Sequence, residues 1–425
     1  MEFPIIINGS QYSAKEYLYY KKKFQLLIKA GYFDLKQSDS YVAGRLTSHD
    51  IDYELSNLKS LVFEVTERCN LKCNYCFYGE NYKQNEIRSD QDFDVVNAKR
   101  IIDLLKEKWL SNKNNSIGNE IFIGFYGGEP LLNFKFIKEI VSYIELIKDN
   151  TDLNFRFNMT TNALLLPKFM QFLVNHNFSL TISIDGDKKS NSHRVFANNK
   201  HSFEIVYQNI KLIAEKYPEY FQTNVMFNAV LHEKNDLLEV QKFITKEFSK
   251  SIRCSEVNPL LVGKSFKYDR QNLNLNDKND ARCFLDSGQT LHYNMFLKNF
   301  SKFHFENLES LFVPNYMRPY IPTGTCIPFS KRMFITTKGK ILPCETIGHE
   351  FALGEIVNGK INLNNEEIAD KYNSYFNKMD TKCKSCYKIN FCTDVIGNYN
   401  CTVFGNWECT ENGNKDAQFS MLKVD

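Results

Sequence analysis

The sequence has no apolar run of membrane-span length, and no basic region stands ahead of Pro4 and Ile5-Ile6-Ile7. A spanning helix and an export signal are therefore not expected. It also lacks a charge imbalance. Lys and Arg number 53 against 50 Asp and Glu, leaving +3, and this gives no footprint for a nucleic-acid partner. No internal repeat is present. These absences leave a chain expected in the cytoplasm, where its 12 cysteines read as thiols and not as disulfides. Ten of the 12 fall in two groups, which points to metal.

The first group is Cys69, Cys73 and Cys76, in a C-x3-C-x2-C spacing. The apolar run Leu61-Val62-Phe63-Glu64-Val65 leads into it and reads as a buried strand. So three thiols share one short loop at a strand end. Three thiolates can hold three corners of a [4Fe–4S] cluster and leave one iron without a protein ligand. The alternative is structural zinc, but zinc takes four ligands and no neighbouring Cys or His supplies the fourth.

From residue 60 the pattern alternates strand and helix. Strands are expected at 60–66, 120–126, 153–160, 179–185, 223–231 and 251–257, with helices near 92–109, 134–148, 165–176, 203–216 and 235–248. That implies an α/β protein with a partial (β/α)6 TIM barrel, whose active groups collect at the carboxyl ends of the strands. The rest divides into an N-terminal extension (1–58), the barrel (59–257), a linker (258–325), an irregular cysteine-rich domain (326–410) and a tail (411–425). In the extension, Ser13 can cap a helix from about 14 to 30, and residues 36–52 read as a polar stretch. The extension is either a packing element or a docking surface.

Three strand ends carry polar motifs. Gly127-Gly128-Glu129-Pro130 follows the second strand; two glycines permit close backbone approach, and a carboxylate and a rigid proline follow. Thr160-Thr161-Asn162 ends the third and Ser183-Ile184-Asp185-Gly186 the fourth, with Arg194 beyond; taken alone, both segments are also ordinary turn formers.

The triplet with Asn70-Leu71-Lys72 and Asn74-Tyr75 filling it, followed by Gly-Gly-Glu-Pro, resembles the radical S-adenosylmethionine (SAM) enzymes. The resemblance covers the whole barrel. It implies that SAM chelates the open iron through its amino and carboxylate groups and is split to a 5′-deoxyadenosyl radical that abstracts hydrogen. It places Gly127, Gly128, Glu129 and Pro130 at the SAM amino group, Thr161 and Asn162 in the SAM pocket, Ser183, Asp185 and Arg194 at its ribose and carboxylate, and Tyr75 near the adenine. Ala163 stands where the family usually has glycine, so the local turn is open to difference. His193 is read as incidental.

The second group is Cys326, Cys344, Cys383, Cys386, Cys392, Cys401 and Cys409. On spacing alone, zinc and iron are both open. Behind such a barrel the pattern resembles the SPASM extension, with two auxiliary [4Fe–4S] clusters. The resemblance gives Cys326, Cys344 and Cys401 to the first, and Cys383, Cys386, Cys392 and Cys409 to the second. The first is then one ligand short, with Cys283 a distant candidate, or has an open iron able to take a substrate thiolate. Cys392 and Cys401 are further apart than is usual. Glu345, directly after Cys344, is a candidate general base or a solvated turn residue.

The resemblance extends to bacterial maturases of ribosomally made peptides. It implies an enzyme that installs a thioether or carbon–carbon cross-link in a precursor peptide with a leader, fed by a reductase or flavodoxin-like electron donor. The alternatives are an anaerobic sulfatase maturase forming formylglycine and a non-catalytic leader-binding protein.

Overall fold

Hydrophobic periodicity in the middle of the chain becomes six parallel strands with helices between them. In the computed structural model the described residues are 4–7, 10–29, 45–76, 78–79, 89–111, 114, 120–232, 234–256, 327–345 and 348–384. Those between 46 and 256 and from 327 to 370 belong to one compact unit; 4–45 and 371–384 belong to a second.

In the second unit, β1 (Ile5–Ile7) and β2 (Ser10–Tyr12) pair antiparallel, and α1 (Ala14–Lys29) follows. Ser13 caps α1 reciprocally with Glu16: the Glu16 carboxylate accepts from the Ser13 N–H at 2.8 Å, and the Ser13 hydroxyl accepts from the Glu16 N–H at 3.4 Å.

The first unit opens with α2 (Ser48–Ser56), where the sequence reading had a polar stretch. Thr47 and Asp50 form a capping box there, and Ile51 and Leu55 are buried beneath it. The box is a sequence signal, but with so few apolar residues it is a weak one.

The parallel strands are β3 (Ser60–Thr66), β4 (Glu120–Gly127), β5 (Asn154–Thr161), β6 (Ser179–Ser183), β7 (Val225–Leu231) and β8 (Ile252–Glu256). Each pairs with the next. The connecting helices are α3 (Val95–Trp109), α4 (Phe134–Lys148), α5 (Leu166–Asn175), α6 (Phe203–Lys216), α7 (Pro218–Asn224) and α8 (Leu237–Phe248). The additional helix α7 starts at Pro218, whose fixed φ suits a first helical position, and it delays the next strand to Val225. Side chains Asp94, Asn133 and Asp236 cap α3, α4 and α8. The helices bury apolar stripes on one sheet face. In α4 these are Phe136, Ile137, Ile140, Val141 and Ile144, each contributing about 1.5–3 kcal/mol.

The sheet does not stop at β3. On its outer edge lies β9 (Met333–Ile335), parallel to β3, followed by the antiparallel strands β10 (Lys340–Leu342), β11 (Gly354–Val357) and β12 (Lys360–Leu363). Helix α9 (Asn365–Lys384) completes the described chain. The join is apolar: Val62, Phe334 and Leu342 pack together, with Tyr126 and Ala352 against them. It is also polar at the top of β3. Glu64 and Glu67 are buried, and Thr337 donates to both, through its N–H to Glu64 at 3.0 Å and its hydroxyl to Glu67 at 2.9 Å.

Candidate active site

The cysteine loop leaves the carboxyl end of β3. Cys69 is exposed, and Cys73 and Cys76 are half-buried. The loop turns on itself through the Cys76 N–H, which donates to the Cys73 carbonyl at 3.0 Å. It is tied across the barrel mouth to one segment. The Lys72 N–H donates to the Val195 carbonyl at 2.7 Å, and the Asn74 N–H to the His193 carbonyl at 3.1 Å. The Asn74 amide also donates to His193 Nδ1 at 3.1 Å. His193, read from sequence as incidental, is buried and holds the residue between the second and third cysteines. A histidine next to a functional arginine gives no sequence signal of that role.

Gly127 and Gly128 pack on the entrance of the loop. Gly127 has φ +123°, and a Cβ on Gly128 would lie 2.0 Å from the Arg68 carbonyl oxygen. Glycine is needed here because backbone meets backbone. The Glu129 carboxylate turns inward and is fully buried. It accepts from the Thr161 hydroxyl and the Asn162 N–H, both at 2.8 Å, and from the Leu131 N–H at 3.2 Å. Burial pushes it up to about 7 against the pull of these donors. Glu129 thus ties the end of β4 to the end of β5, and Pro130 starts a short 3-10 turn behind it. Asn162 in turn reaches the loop, donating to Asn70 Oδ1 at 2.7 Å and lying 3.9 Å from Cys69 Sγ. Ala163 has φ +63°, so the left-handed turn that usually takes glycine is kept with a Cβ in it.

Below the loop, Asp185 is the hub of a buried cluster. Arg194 donates to it through Nη2 at 2.9 Å and Nε at 3.0 Å, the Val230 N–H donates at 2.9 Å, and so does the Tyr75 hydroxyl. Burial alone would raise this carboxyl, but the Arg194 guanidinium and the donors hold it down at about 2. Lys234 N–H donates to His232 Nδ1, which leaves the ring proton on Nε2, 3.8 Å from Asp185. His232 stacks on Tyr75 at 5.6 Å, and the Arg194 guanidinium lies over the same Tyr75 ring at 5.5 Å. Tyr75 and Arg194 are therefore engaged inside the protein. Ser183, at the end of β6, is half-buried, and its hydroxyl makes no hydrogen bond among the described residues.

The strand pair joined to β3 carries the other candidates. Cys344 follows β10, and its thiol donates to Glu345 at 3.5 Å. Arg332 Nη1 donates to both Glu345 oxygens at 2.8 Å. Tyr126, just before Gly127, is pushed up by burial and then by the charges of Glu345, Cys76 and Cys344, which places it near both cysteine sites. Cys326, Cys386, Cys392, Cys401, Cys409 and the candidate Cys283 lie outside the described residues; Cys383 is in the last turn of α9.

The residues present fit an iron–sulfur cluster at the triplet. Cys69, Cys73 and Cys76 bring three thiols to one short loop at the end of β3. A cubane spreads its ligands over separate irons, whereas zinc draws four to itself. Burial, with Cys76 and Cys69 adding to it and Arg194 opposing, pushes the Cys73 thiol up to about 12. The thiolate needed for ligation is then one that a cationic centre at the loop would stabilise.

The sequence profile of the radical SAM superfamily matches residues 63–244. A cysteine-type anaerobic sulfatase-maturating enzyme of Clostridium novyi is 26% identical over 340 residues, covering 78% of this chain and 86% of the relative. An uncharacterized protein of Methanocaldococcus jannaschii is 30% identical over 258 residues, covering 57% of this chain and 84% of the relative. Among solved structures, native anSMEcpe with bound AdoMet and Cp18Cys peptide aligns with a TM-score of 0.53 at 18% identity, covering 78% of this chain and 87% of that one. The chain belongs to the radical SAM superfamily. It has the radical SAM α/β fold and is an enzyme of the radical SAM oxidoreductase type, a class that implies a [4Fe–4S] cluster and SAM. No helix among the described residues is long and apolar enough to cross a membrane.

Proposed function

We propose that this enzyme is a peptide maturase that removes two hydrogen atoms from a bound precursor peptide and leaves a thioether or carbon–carbon cross-link. One observation carries the reading. Tyr126 feels the charges of Cys76 from the cysteine loop and of Glu345 and Cys344 behind β10, so a thiol and a carboxylate paired with Arg332 lie on the same side of the sheet as the loop and within electrostatic reach of one residue.

Cys69, Cys73 and Cys76 would hold the catalytic cluster, which with SAM supplies the 5′-deoxyadenosyl radical when bound. Gly127, Gly128, Asn162 and Ser183 would face SAM; Glu129, Thr161, Asp185 and Arg194 hold the loops that carry those contacts. One substrate hydrogen leaves as an atom and the other as a proton, for which Glu345 is the acceptor, kept in place by Arg332. Cys326, Cys344 and Cys401, and Cys383, Cys386, Cys392 and Cys409, would hold two auxiliary [4Fe–4S] clusters, an electron acceptor when bound. Residues 1–58 are proposed to dock the leader, and a cytoplasmic reductase or flavodoxin-like protein to supply electrons.

A second reading is formylglycine formation in a sulfatase. It is favoured by the Clostridium novyi relative, which the chain covers over 86% of its length. Anaerobic reaction with a panel of short cysteine-containing peptides, read by mass spectrometry, separates the two. Loss of two hydrogens with sulfur retained is expected for the cross-link. Loss of sulfur gives the sulfatase-type reaction, and an unchanged mass for every such peptide sinks the first reading.

A further inference from the structure

The register of the parallel strands lays a polar row across the concave face, from the carboxyl end of β5 to the amino half of β8. Thr161 pairs with Ile182, so Asn162 is level with Ser183; Ser183 pairs with Asn228, and Asn228 with Arg253. The row begins at the cysteine loop, where Asn162 lies 3.9 Å from Cys69 Sγ. It faces away from the helices. On β7, Phe227 packs against Phe221 of α7 and Phe248 of α8, so its neighbour Asn228 points to the concave side. Ser255, one pleat beyond Arg253, donates to Asn228 Oδ1 at 3.2 Å on that same side.

Arg253 ends the row. It is exposed, while Ile252 before it is buried, and it makes no salt bridge among the described residues. Other cations of the barrel strands and loops differ. Arg156 is paired with Glu120, and Arg194 with Asp185. A guanidinium with no counter-charge among the described residues, on the concave face and at the far end of the row that starts at the cluster loop, is placed to take a carboxylate as a fork. That carboxylate is not SAM's. β8 stands three strands from β5, which meets the cysteine loop through Asn162, a path of about 14 Å along the sheet.

We infer that Arg253, steadied by its neighbours Asn228 and Ser255, binds a carboxylate of the peptide substrate, an acidic side chain or its C-terminus, and so sets which residue meets the radical. The inference rests on the peptide reading above. The test is selection of cysteine-containing peptides from a randomised display library on the anaerobic SAM-loaded holoenzyme, wild type and Arg253→Glu. Wild type should enrich Asp, Glu or a free C-terminus at a fixed distance from the cysteine, and binding of a selected peptide should fall about ten-fold when its carboxylate is made an amide. Arg253→Glu should lose that enrichment and favour Lys or Arg. Equal acidic enrichment by both proteins overturns the role of Arg253 while leaving the peptide reading standing. No enriched peptide from either protein removes the peptide reading, and this inference with it. A fall in SAM affinity on Arg253→Gln, measured by equilibrium dialysis, would assign the carboxylate to the cofactor and overturn the proposal.

Discussion

The two halves of the barrel mouth are built on opposite plans. Around β3 to β6 the polar groups are turned inward and satisfied by each other: Glu129 by Thr161 and Asn162, Asp185 by Arg194 and Tyr75, Asn74 by His193. At β7 and β8 the polar side chains Asn228, Arg253 and Ser255 face the open concave side with little to hold. On the proposed reading, the first half is pre-organised for SAM and the second leaves its donors for the substrate. In such a site, charge belongs in the interior only where it is fully paired, since an unpaired buried charge is costly.

The sharpest way to break the comparison is at the loop itself. Cys73→Ala should abolish 5′-deoxyadenosine formation from SAM with dithionite, without peptide; retained cleavage would remove the triplet from its assigned role. The next effect is Asp185→Asn. It leaves the Arg194 charge buried without a partner, and a loss of about 3–5 kcal/mol is expected in denaturant unfolding. The pH dependence has a definite sign. The Asp185 carboxyl sits at about 2, below the value near 4 of an unfolded chain, so its stabilisation is present above about 4 and is lost as pH falls through about 2. The variant should lack that acid limb; an unchanged acid profile would show that the hub does not stabilise the fold. The smallest effect is a gain. Ala163→Gly removes a Cβ from a residue at φ +63° and should raise stability by about 1 kcal/mol, read as an increased unfolding midpoint. A loss of stability there would mean that the Ala163 methyl packs to more advantage than its backbone costs.

Much of this was legible beforehand, for a physical reason. Strands β3 to β8 and most helices between them follow hydrophobic period, and their ends fell within a few residues of expectation. Helix α2 and helix α7 were missed because each is short and buries only a few apolar residues, so that a capping box and a proline start were their main local signals, too short to register as period. The motif residues do stand at strand ends, as their spacing implies, but their orientation was not legible. Sequence spacing puts Glu129, Tyr75 and Arg194 at strand ends; only the fold reveals that their polar groups are taken by Thr161 and Asn162, by Asp185, and by Asp185 again. His193 and His232 had no motif, since their partners lie 119 and 47 residues away in the chain. Register, which fixes the row from Asn162 to Arg253, is a property of strand pairing and not of any one strand.

The parallel seam between β3 and β9 has an implication for how this enzyme can be divided. A chain cut before Ile327 would leave the Leu61–Phe63 backbone as a bare sheet edge, unpaired along Val62 and its neighbours, which is a template for aggregation. It would also strip Glu64 and Glu67 of the Thr337 donors that make their burial tolerable. The strand bearing the cluster loop and the segment bearing Cys344 therefore share one folding fate, and any shortened version of the enzyme has to keep the meander from β9 to β12.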